Sequence, residues 1–207
     1  MHIVDAMEKF REEVRRFFES LWPAEEKPLV FGEGNWQSPP VMLIGEAPGE
    51  QETLQGRPFV GKAGKNLEGF LQALSLRREE IYISNVVKVR PVKVSARGSV
   101  SNRPPNREEI LLFAPWLYRE ILLVRPRMLV TLGNVALKAL AGPRAVIGEA
   151  HGKTTVCQVR EEGQEASFPL FPLYHPASII YNRSLTEVYQ RDLACLAQAM
   201  REQAGTI

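Results

Sequence analysis

The sequence predicts an α/β protein, a three-layer α/β/α sandwich with a central, mainly parallel, four-stranded sheet. Short apolar runs, Val41–Ile44, Ile81–Ile83 and Met128–Leu132, alternate with segments of helical period. Strands that alternate with helices imply a parallel sheet covered on both faces. The first run empties into a glycine-rich turn, Gly45-Glu46-Ala47-Pro48-Gly49, as strands do at the ligand sites of such sheets.

The elements follow in order. Met7, Phe10, Val14, Phe17 and Leu21 recur at helical spacing and predict an amphipathic opening helix that Pro23 ends. Leu29-Val30-Phe31 reads as a short edge strand closed by Gly32-Glu33-Gly34-Asn35. After the Val41–Ile44 strand, Leu67, Phe70, Leu71 and Leu74 mark a helix that starts near Lys62 or Ala63. Ile81–Ile83 is the second buried strand, and residues 88–105 form a loop rich in Lys, Arg, Ser and Pro. Asn106 then caps a helix, with Glu109 completing a capping box and Pro115 inside it. Met128–Leu132 is the third strand, and Gly133 turns it into a helix that runs through Leu140. Val146–Tyr174 reads as β structure with a polar hairpin tip at Glu161–Glu165. Thr186 caps a last helix that carries Tyr189, Leu193, Leu196 and Met200 on one face.

Length and composition set limits. A chain of 207 residues with 44% hydrophobic content suits one domain, with residues 1–28 as a helical extension packed on it. The net charge of +2 admits a nucleic-acid partner without requiring one. Two distant cysteines, Cys157 and Cys195, support neither a zinc site nor a disulfide framework and point to a reducing compartment. No apolar run is long enough to span a bilayer, and the acidic start is unlike a signal peptide, so a cytoplasmic protein without membrane contact is expected.

In a parallel sheet the site lies at the C-terminal strand ends. Those ends here carry Glu46, Asn85, Gly133-Asn134 and His175. Glycines let backbone N–H groups approach a ligand closely, and two carboxylates and the Phe59 ring stand beside them. This mixture suits a planar, polar, uncharged ligand, a base rather than a phosphate.

Three segments then carry a resemblance: Gly45-Glu46-Ala47-Pro48-Gly49 with Gly56-Arg57-Pro58-Phe59-Val60-Gly61, Ile83-Ser84-Asn85-Val86-Val87-Lys88, and Tyr174-His175-Pro176-Ala177. In this order they resemble the motifs of family 4 uracil-DNA glycosylases, as do Phe31–Asn35 and Asn102-Arg103-Pro104. The resemblance spans roughly residues 29–200 and implies hydrolysis of the glycosidic bond of deoxyuridine in single- or double-stranded DNA, by a monomer without a cofactor. It implies that Asn85 reads N3–H and O4 of uracil, Phe59 stacks on the base and His175 stabilises charge at O2. Glu46 is expected to activate water or stabilise the sugar cation. Ala47 stands where better-known uracil glycosylases carry an aspartate, leaving only its main-chain N–H toward O2. Glu52 is expected to close the pocket near C5 and exclude thymine; a helix-start carboxylate is the alternative. Lys62, Lys88, Arg90 and Arg103 are expected to contact phosphates. Ser178, Ile179 and Ile180 form the loop that enters the minor groove, where either isoleucine wedges into the gap or anchors the last helix.

The chain departs from the family at the four cysteines of its iron–sulfur cluster. Val89 and Phe113 stand about where the last two would be, and Trp22-Pro23 lies near the first pair. Apolar packing in place of the cluster, and no metal, is the expectation. No histidine lies between residues 88 and 108, so the covalent DNA trapping of a related branch is not expected. Alternatives are the same fold acting on hypoxanthine or xanthine, and a DNA-binding relative without turnover. A nucleotide hydrolase is the weakest, since no GxxxxGK[ST] pattern occurs.

Overall fold

The computed structural model describes residues 3–24 and 27–204. The elements are α1 (Ile3–Leu21), β1 (Glu33–Gly34), β2 (Met42–Gly45), α2 (Glu50–Gln55), α3 (Lys62–Ala73), β3 (Tyr82–Asn85), β4 (Val92–Val94), β5 (Val100–Asn102) and α4 (Arg107–Val124). They continue with β6 (Leu129–Leu132), α5 (Asn134–Ala141), α6 (Ile147–Ala150), β7 (Thr155–Glu161), β8 (Gln164–Leu173), α7 (Pro176–Tyr181) and α8 (Leu185–Ala204).

The sheet has the order β1-β3-β2-β6-β8-β7. Its four inner strands, β3, β2, β6 and β8, are parallel, as the apolar runs predict. Antiparallel β1 and β7 extend it at the two edges to six strands. The two-residue side-chain period divides each strand between two cores. Met42, Ile44, Tyr82 and Leu129 face the core shared with α1 and α4, whereas Leu43, Ile83, Val130 and Leu132 face the core of α3 and α8. The result is the three-layer sandwich.

Several elements differ from expectation. Leu29-Val30-Phe31 forms no strand; Val30 donates its N–H to the Lys88 carbonyl at 2.8 Å, and the edge strand is β1 instead. The residue 88–105 loop contains the β4–β5 hairpin, whose alternating polar and apolar residues carry too little burial to announce a strand. In α1 the buried stripe is Met7, Phe10, Val14 and Phe18, while Phe17 and Leu21 are 40% and 45% exposed. Phe18 takes the place of Phe17 because it stacks on Phe113 of α4, ring centroids 4.3 Å apart. The capping box of α4 forms as expected, Asn106 Oδ1 accepting from the Glu109 N–H at 2.8 Å, and Pro115 lies inside the helix without ending it.

Candidate active site

Parallel pairing brings the strand ends to one rim. Gly45 pairs with Asn85, and Leu132 with Leu173. Past these ends, Val86 and Val87 donate to the carbonyls of Gly45 and Glu46 at 2.9 and 3.1 Å, so the two chains stay in register into the turn. A cavity of about 480 Å³ opens there, lined by Ala47, Glu52, Phe59, Asn85, Asn102 and His175, among others. Its size suits a small planar ligand. A larger hollow of about 610 Å³ beside α1 receives no side chain from a strand end.

Three expected site residues meet directly. The Asn85 amide oxygen and the Phe59 ring both cross above Gly45, where a methyl group would overlap them, so only glycine fits. The Phe59 and His175 rings lie 6.2 Å apart at 30°. Gly133, with φ +87°, brings its backbone against Cβ of His175, so that β6 supports the far wall.

His175 is the N-cap of α7. Its Nδ1 accepts the Ala177 N–H at 3.2 Å, which leaves the ring hydrogen on Nε2. Burial holds its pKa below the ordinary imidazole value, so the ring is neutral at pH 7. His175 therefore presents a neutral N–H donor. Glu46, in the turn after β2, is half-buried, and burial raises its carboxyl above the usual carboxylate range. The Glu46 carboxyl has no hydrogen-bond or ion-pair partner among the described residues, which leaves it able to take a proton.

Glu52 differs from expectation. Its Oε1 accepts N–H groups of Val60 and Gly61 at 3.1 and 2.7 Å, and its Oε2 that of Gly49 at 3.2 Å. Both oxygens are thereby turned to the backbone. Glu52 clasps the turn before α2 to the loop that carries Phe59: its contact with Gly49, the N-cap of α2, fits the helix-start alternative, and those with Val60 and Gly61 go beyond either expected reading. The same loop is held from outside. Arg78 donates to the Pro58 and Phe59 carbonyls and pairs with Glu33, which also pairs with Arg57 at 2.8 Å. Phe59 needs this support because its φ of +53° is unfavourable for a residue with a side chain.

Two of the expected phosphate contacts are corrected. Lys88 is fully buried, and its ammonium pairs with Glu120 at 2.6 Å, so it cannot reach solvent. Arg103 grips Glu109 through two contacts of 2.7 Å and donates to the Val92 carbonyl, so its guanidinium ties the hairpin to α4. Arg90 donates to Asn102 Oδ1 at 2.7 Å and lies 3.5 Å from Glu50. Ile179 packs on the α3–α8 core, which makes it an anchor, and Ser178 is half-buried on the same short helix. The side chains of Lys62 and Ile180 lie outside the described residues. Sequence reasoning missed Asn102 as a cavity residue. The signal was there in the Asn102-Arg103-Pro104 segment, but only the hairpin fold shows the asparagine turned to the rim.

The model of the Uracil DNA glycosylase superfamily matches residues 31–201. The chain belongs to that superfamily. The type-4 uracil-DNA glycosylase of Saccharolobus solfataricus is 34% identical over 210 residues, which cover 99% of this chain and 91% of that protein. That of Pyrobaculum aerophilum is 40% identical over 172 residues, 81% of each chain. The crystal structure of Pedobacter heparinus SMUG2 matches with a TM-score of 0.54 at 16% identity, covering 82% of this chain and 77% of that one, which shows a shared fold.

The residues do not fit the iron–sulfur cluster that family 4 implies. Such a cluster takes four thiolates. Cys157 is buried in β7, where burial pushes its thiol up to about 11, and Cys195 is exposed on α8. Val89 and Phe113 are buried and apolar. Among the described residues no group of three or more His, Cys, Asp or Glu is placed to hold a metal ion, and no described helix is long and apolar enough to cross a membrane.

Proposed function

We propose that this chain hydrolyses the N-glycosidic bond of deoxyuridine in DNA, releasing uracil and leaving an abasic site. The observation that carries the reading is the convergence of Asn85, Phe59 and His175 on one cavity at the strand ends. The names of the type-4 relatives support the substrate.

The base leaves the stack and enters the cavity. Phe59 stacks on its face, contributing about 1–3 kcal/mol. The Asn85 amide offers an acceptor to N3–H and a donor to O4; cytosine presents the reverse pattern and leaves buried groups unpaired. As the C1′–N1 bond breaks, its electron pair moves into the uracil ring. Nε2–H of His175 and the Ala47 N–H meet the charge that grows on O2. Water attacks C1′, and Glu46 takes its proton; the raised pKa makes Glu46 a better base than an exposed carboxylate. Glu52 acts on the loop rather than on C5 of the base. No step passes through a metal.

Phosphates are gripped by Arg90 and by Lys93, Arg97 and Arg107, which carry no ion pair among the described residues, with Ser178 on the other rim. The chain acts as a monomer and as one domain, in which α1 is an extension held through Phe18 and Phe113.

The test is incubation of the purified protein with single- and double-stranded oligonucleotides holding one uracil, followed by alkali. Strand breaks that vanish with His175→Ala and Asn85→Ala are the expected result. Breaks at hypoxanthine or xanthine but not at uracil would move the substrate. Salt-sensitive binding without breaks at any enzyme excess would leave a binding protein.

A further inference from the structure

We propose that the buried Lys88–Glu120 pair is a positioning device that fixes the end of β3 and so aims the Asn85 amide at the base. The inference rests on the reading of Asn85 given above.

Both residues are 0% exposed. The Lys88 ammonium uses three contacts, to Glu120 Oε2 at 2.6 Å, Ser84 Oγ at 2.6 Å and the Asn85 carbonyl at 2.7 Å. An ammonium has three hydrogens, so none is spare. Glu120 accepts in addition from the Tyr82 hydroxyl and from Ser84 Oγ, each at 2.9 Å. Apart from Glu120 itself, every group that contacts the Lys88 ammonium belongs to β3, and the Tyr82 hydroxyl also touches Met7 Sδ of α1 at 3.8 Å.

The geometry gives the network a direction. Strand alternation puts Tyr82 on the α4 side of the sheet, with Ser84 reaching Glu120 there, and Ile83 on the opposite side with Phe59. Asn85, at the next alternate position after Ile83, meets Phe59 over Gly45. The side chain on one face and the carbonyl held from the other belong to the same residue. Paired β2 ends opposite Asn85, and past it the Asn85–Val86 peptide keeps its N–H on the neighbouring chain, donated to the Gly45 carbonyl at 2.9 Å, while its carbonyl takes no donor from that chain. Lys88 supplies the missing donor, and Glu120, on a helix more than 30 residues later in the chain, fixes Lys88.

Stability does not call for this pair. Buried ion pairs are often replaced by apolar residues of similar volume without loss, whereas removing one partner alone is strongly destabilising. A dry pair whose one backbone contact is the base-reading residue has its reason in placement.

The double variant Lys88→Met/Glu120→Leu removes both charges together. Its binding is compared on two duplexes, one with an uncleavable 2′-fluoro-deoxyuridine and one with a tetrahydrofuran abasic analogue. The expected result is a melting temperature near wild type, a kcat on uracil-DNA lowered about tenfold or more, and affinity lost for the uracil duplex alone. Ser84→Ala, which keeps both charges and deletes the hydroxyl between them, is the second variant and gives the same selective loss on a smaller scale. A folded variant that binds both duplexes as wild type does, or that loses both equally, overturns the proposal. A wild-type protein that neither cleaves uracil-DNA nor prefers the uracil duplex removes instead the reading on which the proposal rests.

Discussion

The rim of the sheet and the seam between α1 and α4 are built by opposite means. At the rim, side chains are placed by backbone hydrogen bonds and buried charge: Glu52 clasps three N–H groups, Arg78 holds two carbonyls, and Lys88 fixes the Asn85 peptide. At the seam, Phe18 stacks on Phe113 and on Trp22 at 4.3 and 4.9 Å, with Trp116 tilted beside them. Directional bonds fix atoms to fractions of an ångström, which a base-reading pocket needs. Ring packing supplies burial and tolerates repacking, which a scaffold needs. The seam includes Phe113, which stands about where the family resemblance implies a cluster cysteine, and here ring stacking joins α1 to α4.

This contrast predicts that rim substitutions lower activity with little loss of stability and that seam substitutions do the reverse. The largest effect belongs to the seam. Phe113→Ala should cost about 3–5 kcal/mol in urea unfolding, with kcat per folded molecule unchanged. A loss of kcat in the folded fraction would break the distinction. Next is His175→Ala, expected to lower kcat on the order of 100- to 1,000-fold at a melting temperature close to wild type; a large drop in melting temperature would give this rim residue a scaffold role. Glu52→Gln turns an amide NH₂ toward backbone donors and should loosen the Phe59 loop locally by about 1–3 kcal/mol, read as faster proteolysis of that loop and weaker uracil binding at a global melting temperature close to wild type.

The fourth prediction concerns pH. Glu46 must be ionised to accept a proton, and its pKa is raised by burial, so kcat/KM should fall about tenfold per pH unit on an acid limb that begins above the ordinary carboxylate range. Burial holds the His175 pKa below the ordinary imidazole value, so a neutral His175 gives no alkaline limb. Activity that declines as pH rises through about 6.5 would mean a cationic imidazole instead. The two groups also act on stability with opposite sign. Glu46 stabilises the fold when protonated, and that contribution is lost as pH rises through its raised folded value. His175 contributes when neutral, and its part is lost as pH falls through its lowered folded value. The smallest effect is at the rim's outer edge, where Arg97→Ala should reduce the slope of log affinity against log salt by about 1, uniformly across sequences.

Much of the fold was legible because the inner strands are apolar on both faces and the helices carry a clear period. The strand-end residues Asn85 and His175, with Phe59 from the loop between α2 and α3, followed from motif and topology together. Lys88 illustrates what was hidden: as a lysine in a basic stretch it reads as a phosphate contact, and nothing nearby in the chain announces Glu120. Glu52 is similar, since two of its donors, the Val60 and Gly61 N–H groups, lie on a loop that sequence order alone does not bring near. Phe17 and Phe18 cannot be told apart by a period of 3.6 when both are aromatic, and the partner ring decided between them.

The order of residues by itself determined a parallel sheet, its superfamily motifs and the rim at which polar groups gather, because periodicity, turns and strand ends are local properties of the chain. Tertiary structure alone decided which charges are buried and what each one holds. A charge sits in a dry core only when a partner from a distant segment arrives to meet it, and that meeting is a fact of packing in three dimensions.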